Sequence, residues 1–144
     1  MGAGECCCQE GLLRFFPATI RKVLEPLPVW NEIEEVRLRA GRPLVLRLTR
    51  GDVFVSPEGV LVNRPEKSYL VTLEEISRTV NAATNASVYA FEEEMRNGYL
   101  TLPGGHRLGL SGRTVVERGA VRRFRYITGL NVRVAREVRG AASN

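Results

Sequence analysis

The sequence predicts an α+β domain: a largely antiparallel sheet with helices packed on one face. Two observations carry this prediction. Apolar residues recur at helical spacing near the start and in the middle of the chain, and they alternate with polar residues between these segments and throughout the last third. The 144 residues suit a single domain that can bury a core without disulfide bonds.

The first element predicted is a helix that begins at Pro17, because proline is favoured at the start of a helix. Apolar residues then recur three or four positions apart, and two prolines end the helix. The apolar residues are Ile20, Val23, Leu24 and Leu27, and the prolines are Pro26 and Pro28.

Three strands are predicted next. In the first, Ile33–Arg39, the apolar residues point one way while Arg37 and Arg39 point the other. The alternation continues through 44–48 after a Gly-Arg-Pro turn, and 52–56 forms the third strand.

Two further helices are predicted in the middle of the chain. Thr72-Leu73-Glu74-Glu75 is a capping box, in which a threonine and a glutamate three residues later each bind the other's backbone, and a helix over 73–83 follows. The second helix covers Val88 to Met95 and stops near Gly98.

The last third reads as a meander of four strands separated by glycine-containing turns. The predicted strands are Tyr99–Leu102, His106–Val116, Val121–Thr128 and Leu130–Arg136, with Thr128-Gly129 as the last turn.

Charge is unevenly distributed along the chain. Residues 98–144 contain nine arginines and two glutamates, a net charge of +7, whereas residues 1–97 carry twelve basic and fourteen acidic residues, a net charge of −2. No apolar run approaches the length of a membrane-spanning helix, and the N-terminus lacks the pattern of a signal peptide. Residues 1–12, with the consecutive Cys6, Cys7 and Cys8, are expected to form a disordered, reduced leader.

The stretch Gly98 to Val116 contains the only histidine and a Pro-Gly-Gly. It has no phosphate-binding loop of the P-loop type, because neither of the two lysines follows a glycine. Gly104-Gly105 is interpreted as a hairpin turn that needs positive φ. His106 has no partner residues for a triad or a zinc site, so neither a catalytic nor a metal site is expected.

The arginines of the last third leave three interpretations open. They form a solvated sheet face, they bind a phosphate or an acidic neighbour, or they bind nucleic acid. Nucleic-acid binding would favour aromatic residues between the arginines, and only Phe124 and Tyr126 are so placed.

Four stretches resemble a known family. They are EEVRLRAGRPLVL, VTLEEISRTV, SVYAFEEEMRNGYLTLPGGHRLGLSGRTV and ITGLNVRVAREVRGAA. Together they are similar to the N-terminal region of the stage III sporulation protein AA family of endospore-forming bacteria. The resemblance runs from residue 13 to residue 142, which is taken as the domain.

The resemblance implies a cytoplasmic mother-cell ATPase, related to the motor ATPases of type II secretion and type IV pili. Such a protein powers or helps assemble the channel between mother cell and forespore, and it associates with the membrane through embedded channel proteins. In that family a PAS-like N-terminal domain precedes a RecA-like ATPase domain that binds ATP and Mg²⁺. The ATPase domain is absent from this chain, so the chain is not expected to be an enzyme by itself.

The related motors also imply a hexamer, in which arginines of the N-terminal domain contact a nucleotide or the neighbouring subunit. The residues assigned to this role are Arg107, Arg113, Arg133 and Arg136. The alternative function is that of a basic nucleic-acid-binding module, although nucleic acid is considered an unlikely partner.

Overall fold

The alternating pattern in the first half of the chain forms strands close to those predicted. In a computed structural model, which describes residues 11–86, 98–117 and 121–135, these are β1 (Ile33–Arg39), β2 (Val45–Leu48) and β3 (Gly51–Val55). A fourth strand, β4 (Leu61–Val62), was not predicted, because two residues are too few to show an alternation.

The described residues of the last third form three strands rather than four: β5 (Tyr99–Thr101), β6 (Arg107–Glu117) and β7 (Val121–Arg133). The predicted turn at Thr128-Gly129 is wrong, because β7 passes through both residues. A Cβ atom at Gly129 would lie 2.6 Å from Ser111 Oγ, so glycine lets this hydroxyl lie close to β7.

The seven strands form one sheet in the order β4-β3-β2-β1-β7-β6-β5, and every pairing among them is antiparallel. The central pair joins the two halves of the chain, with Val36 opposite Val132 and Leu38 opposite Leu130. The prediction that the early strands and the meander share one sheet is therefore confirmed.

Among the described residues, the α-helices α1 (Ala18–Leu24) and α2 (Leu73–Ala86) accompany the sheet. Pro17 is the extended residue that precedes α1, with φ −67° and ψ 163°. The capping box at α2 is confirmed: the Thr72 N–H donates to Glu75 Oε1 at 2.9 Å, and the Glu75 N–H donates to Thr72 Oγ1 at 3.1 Å. The helix predicted over Val88 to Met95 lies outside the described residues.

Glu75 also connects α2 to α1. Its second oxygen, Oε2, accepts a hydrogen bond from the Thr19 hydroxyl at 2.5 Å and another from the Tyr69 hydroxyl. The Glu75 side chain can be buried because these donors replace water around the carboxylate. Burial, together with this carboxylate, raises the pKa of Tyr69.

One hydrophobic core lies against one face of the sheet. A row of buried residues crosses five strands there: Leu46, Val36, Val132, Leu108 and Leu100. Residues of both helices belong to the same cluster, so the helices cover this face, as predicted. Leu12 is fully buried in it, and the folded part thus reaches into the segment predicted as a leader; residues 1–10 lie outside the described part.

Candidate functional site

The face of the sheet opposite the core, called the polar face below, carries most of the charged strand residues. Strand alternation places Arg47 and Arg107 there, because the residues on either side of each along its strand are buried. One row across the sheet contains Asp52, Arg47, Glu35, Arg133 and Arg107, on β3, β2, β1, β7 and β6 respectively. Neighbours in this row lie directly opposite one another.

Both acidic residues of the row, Glu35 and Asp52, are contacted by Arg37. Arg37 Nε donates to Glu35 Oε2 at 3.2 Å, and Arg37 Nη1 lies 3.5 Å from Asp52 Oδ2. The Glu35 side chain is only 10% exposed even though it lies on the polar face. The nearby Arg37 guanidinium compensates the charge that this burial would otherwise isolate.

Arg107 and Arg133 are opposite each other on β6 and β7, at the other end of the same row. Both side chains are exposed, and neither forms an ion pair with any residue that the structure describes. The Arg107 guanidinium lies over the ring of Tyr99, 4.8 Å from its centre. Two like charges directly opposite each other disfavour strand pairing.

Arg113 lies on the same face but not beside this pair. It is six residues beyond Arg107 on β6, which is about 20 Å along a strand. Arg113 instead lines a cavity of about 620 Å³ together with Arg39 and Arg42. Arg136 is outside the described residues. Among the predicted site residues, the structure thus brings Arg107 and Arg133 together and separates them from Arg113.

Arg39 and Arg42 were not among the predicted site residues. The alternation in β1 placed Arg39 on the polar face, but no local signal indicated that β1 would pair with β7 and bring Arg39 towards β6. The pairing of residues distant in the sequence is what defines this cavity.

The positive φ predicted at Gly104-Gly105 is confirmed, and His106 directly follows this turn. Gly104 and Gly105 have φ of 92° and 89°, and the Gly105 N–H donates to the Leu102 carbonyl at 3.0 Å. His106 is buried, and its Nδ1 accepts a hydrogen bond from the Ala135 N–H at 2.9 Å. Burial lowers the pKa of His106, which keeps the ring neutral.

The described residues contain neither a metal-binding cluster nor a membrane-spanning helix. Within residues 11–86, 98–117 and 121–135, no group of three histidine, cysteine, aspartate or glutamate residues could hold a metal ion. No helix in the same ranges has the length and apolar character needed to cross a membrane.

Comparison with known proteins decides the family. The family model described as "Sporulation stage III, protein AA" matches residues 7–144. The chain belongs to the stage III sporulation protein AA family. It is also 37% identical over 128 residues to the stage III sporulation protein AA of Bacillus subtilis (strain 168), an alignment that covers 88% of this chain.

The family resemblance inferred from the four sequence stretches is therefore confirmed. The alignment covers 38% of the Bacillus subtilis protein, so the chain corresponds to a minor part of that relative's length. The family model extends over nearly the whole chain, from residue 7 to residue 144.

Proposed function

We propose that this chain is the N-terminal assembly and regulatory domain of a sporulation ATPase, one that powers or helps assemble the channel between mother cell and forespore. ATP and Mg²⁺ would be bound by a RecA-like domain of the longer protein, and the subunits would form a ring, as in the related secretion motors. The domain described here supplies no chemistry by itself. Its role is to contact the nucleotide or the next subunit.

The observation that carries this proposal is the arginine pair of Arg107 and Arg133. Two exposed guanidinium groups on neighbouring strands repel each other and form no ion pair with the described residues. An anionic partner would relieve that repulsion. The partner proposed here is a nucleotide phosphate or an acidic surface of an adjacent subunit.

An arginine that reaches a transferring phosphoryl group stabilises the negative charge that develops in the transition state. Arg133 is suited to this role because it lies near the end of β7, and because its neighbours Leu130 and Val132 fix the strand in the core. Arg136, three residues further along, is assigned to the same role from the sequence.

The test measures ATP hydrolysis and ring assembly of the longer protein. We expect Arg133→Ala or Arg136→Ala to lower the ATPase rate by roughly 10- to 100-fold, or to weaken assembly. The melting temperature of the present chain should not fall in Arg133→Ala, because loss of an exposed arginine without an ion pair to the described residues changes stability by about 0.5 kcal/mol or less.

Arg64→Ala is the matched control, because Arg64 is an exposed arginine in a loop after β4, away from the arginine pair. It removes the same charge and should leave hydrolysis and assembly unchanged. Wild-type rates and assembly in both Arg133→Ala and Arg136→Ala would contradict the assignment. ATP hydrolysis by the 144-residue chain alone would contradict the proposal that the domain is not catalytic.

A further inference from the structure

The cavity of about 620 Å³ lies where β1 ends and the longer β6 and β7 continue as a two-stranded ribbon. Its lining includes Arg39, Arg42, Ser111, Arg113, Tyr126 and Gly129. This volume falls within the range of small-molecule sites in proteins. The cavity is on the polar face, and it is distinct from the row that contains Arg107 and Arg133.

Gly129 is one of the residues that line the cavity. It lies between Arg39 on β1 and Ser111 on β6 in the register of the sheet. A Cβ atom at this position would lie 2.6 Å from Ser111 Oγ and 3.5 Å from Arg39 Cγ. The absence of a side chain therefore lets the Ser111 hydroxyl lie close to the β7 backbone, beside Arg39.

The turn after β1 places the second arginine, Arg42, in the lining of the cavity. Gly41 adopts φ +75°, and the Arg42 N–H donates to the Arg39 carbonyl at 3.0 Å. Two backbone hydrogen bonds to Val71 hold the turn. The Gly41 N–H donates to the Val71 carbonyl at 2.7 Å, and the Val71 N–H donates to the Arg42 carbonyl at 2.9 Å. These hydrogen bonds fix the backbone position of Arg42.

The third arginine comes from β6. The register between β6 and β7 shifts between Ser111 and Gly112, so that Ser111 pairs with Gly129 but Gly112 pairs with Ile127. Thr128 is the extra residue on β7, and it also lines the cavity. Arg113, opposite Tyr126, then lies on the same face as Ser111.

These three arginines concentrate positive charge. None of the three forms an ion pair with a residue in the part of the chain that the structure describes, and the lining contains no acidic residue. Guanidinium groups that share a cavity repel one another and attract anions, and their planar donor pairs match phosphate oxygens. The hydroxyl groups of Ser111 and Thr128 add neutral donors to the same space.

We propose that this cavity binds a phosphoryl group carrying more than one negative charge, held by Arg39, Arg42 and Arg113. The source is a nucleotide or a free polyphosphate. The half-exposed Tyr126 ring lines the cavity and is the surface on which a base would stack, so it separates the two sources. The site is formed by the chain's own residues and stands independently of the proposed function.

The test is isothermal titration calorimetry of the 144-residue chain with tripolyphosphate, and separately with ATP, at low ionic strength. We expect saturable binding of at least one ligand at one site. Arg39→Ala, Arg42→Ala and Arg113→Ala should each weaken it about tenfold, because each removes a charge-assisted contact. If a base contacts the ring, Tyr126→Ala weakens ATP binding alone; if only phosphate is held, it changes neither.

Arg64→Ala again serves as the control for loss of one positive charge, and its affinity should match that of the wild type. The proposal is overturned if neither ligand binds, or if Arg64→Ala weakens binding as much as the cavity variants do. Binding of short single-stranded DNA without binding of either phosphate ligand would also overturn it, in favour of a nucleic-acid surface. A failure here leaves the ATPase assay of the Arg133 variants unaffected, so the two proposals fail separately.

Discussion

His106 connects two segments that are distant in the sequence. It lies between the glycine turn and the first residue of β6, and its Nδ1 accepts a hydrogen bond from the backbone N–H of Ala135, just after β7. Its ring also packs beside Gly104, where a Cβ atom would lie 3.3 Å from it. Because Nδ1 is the acceptor, the bond requires the neutral ring, and protonation would remove it.

This arrangement predicts a loss of stability in mild acid. Burial lowers the pKa of His106 in the folded chain below its value of 6.5 in the unfolded chain, so the unfolded state binds more protons as the pH falls. The contribution is fully present above about pH 6.5 and is lost as the pH falls from there towards the folded pKa. Urea unfolding at several pH values between about 5 and 8 measures it.

The control is His106→Gln, which has no titrating group in this pH range. We expect its free energy of unfolding to change less between these pH values than that of the wild type. Parallel pH curves for the two proteins would contradict a buried neutral histidine.

At the scale of elements, the pairing of β6 with β7 contains two register shifts, and a glycine is found at the first of them. The shifts lie between Ser111 and Gly112 and between Arg113 and Thr114. At the first, a Cβ atom on Gly112 would overlap the Tyr126 carbonyl oxygen and would lie 2.8 Å from Ile127 Cα. Both are backbone atoms, so a side chain cannot be accommodated by rotation.

Gly112→Ala should therefore destabilise the chain by about 1–3 kcal/mol, because it forces β7 away from β6. Gly109→Ala is the matched control on the same strand, where the nearest atoms to an added Cβ are 3.7 and 3.8 Å away, an ordinary contact distance. It should change stability by about 0.5 kcal/mol or less. Denaturant unfolding of both variants compares them, and equal losses would show that the close approach is not what requires Gly112.

At the scale of the whole molecule, the order of strands makes the two halves of the chain depend on each other. The β1–β7 pairing is central, and Leu130 lies in the same core cluster as Trp30 of the N-terminal half. Trp30 is buried, and its indole N–H donates to the Leu24 carbonyl at 2.9 Å. Neither half can bury its face of the sheet without the other.

We therefore expect one cooperative unfolding transition. The midpoint from Trp30 fluorescence should coincide with the midpoint from far-ultraviolet circular dichroism. Leu130→Ala should lower stability by about 2–5 kcal/mol, since Leu130 is 1% exposed, and it should move both midpoints together. A shift in circular dichroism without a shift in fluorescence would mean that the halves unfold separately.

Local patterns were sufficient for the features that depend on neighbours in the sequence. The capping box at Thr72 and Glu75, the alternation of β1 and the Gly104-Gly105 turn were all predicted, because their hydrogen bonds and φ angles involve residues at most a few positions apart. The family was also inferable, since it depends only on the order of residues.

Only the tertiary structure showed which distant segments of the chain contact one another. Gly129 has the same local signature in a turn as in a strand, and only the strand pairing shows that the Ser111 hydroxyl of β6 lies close to it. The grouping of Arg39, Arg42 and Arg113 depends on the same pairing, between residues about 90 apart in the chain. Such contacts form because the two apolar faces share one core, and no local pattern records which strand will be the neighbour.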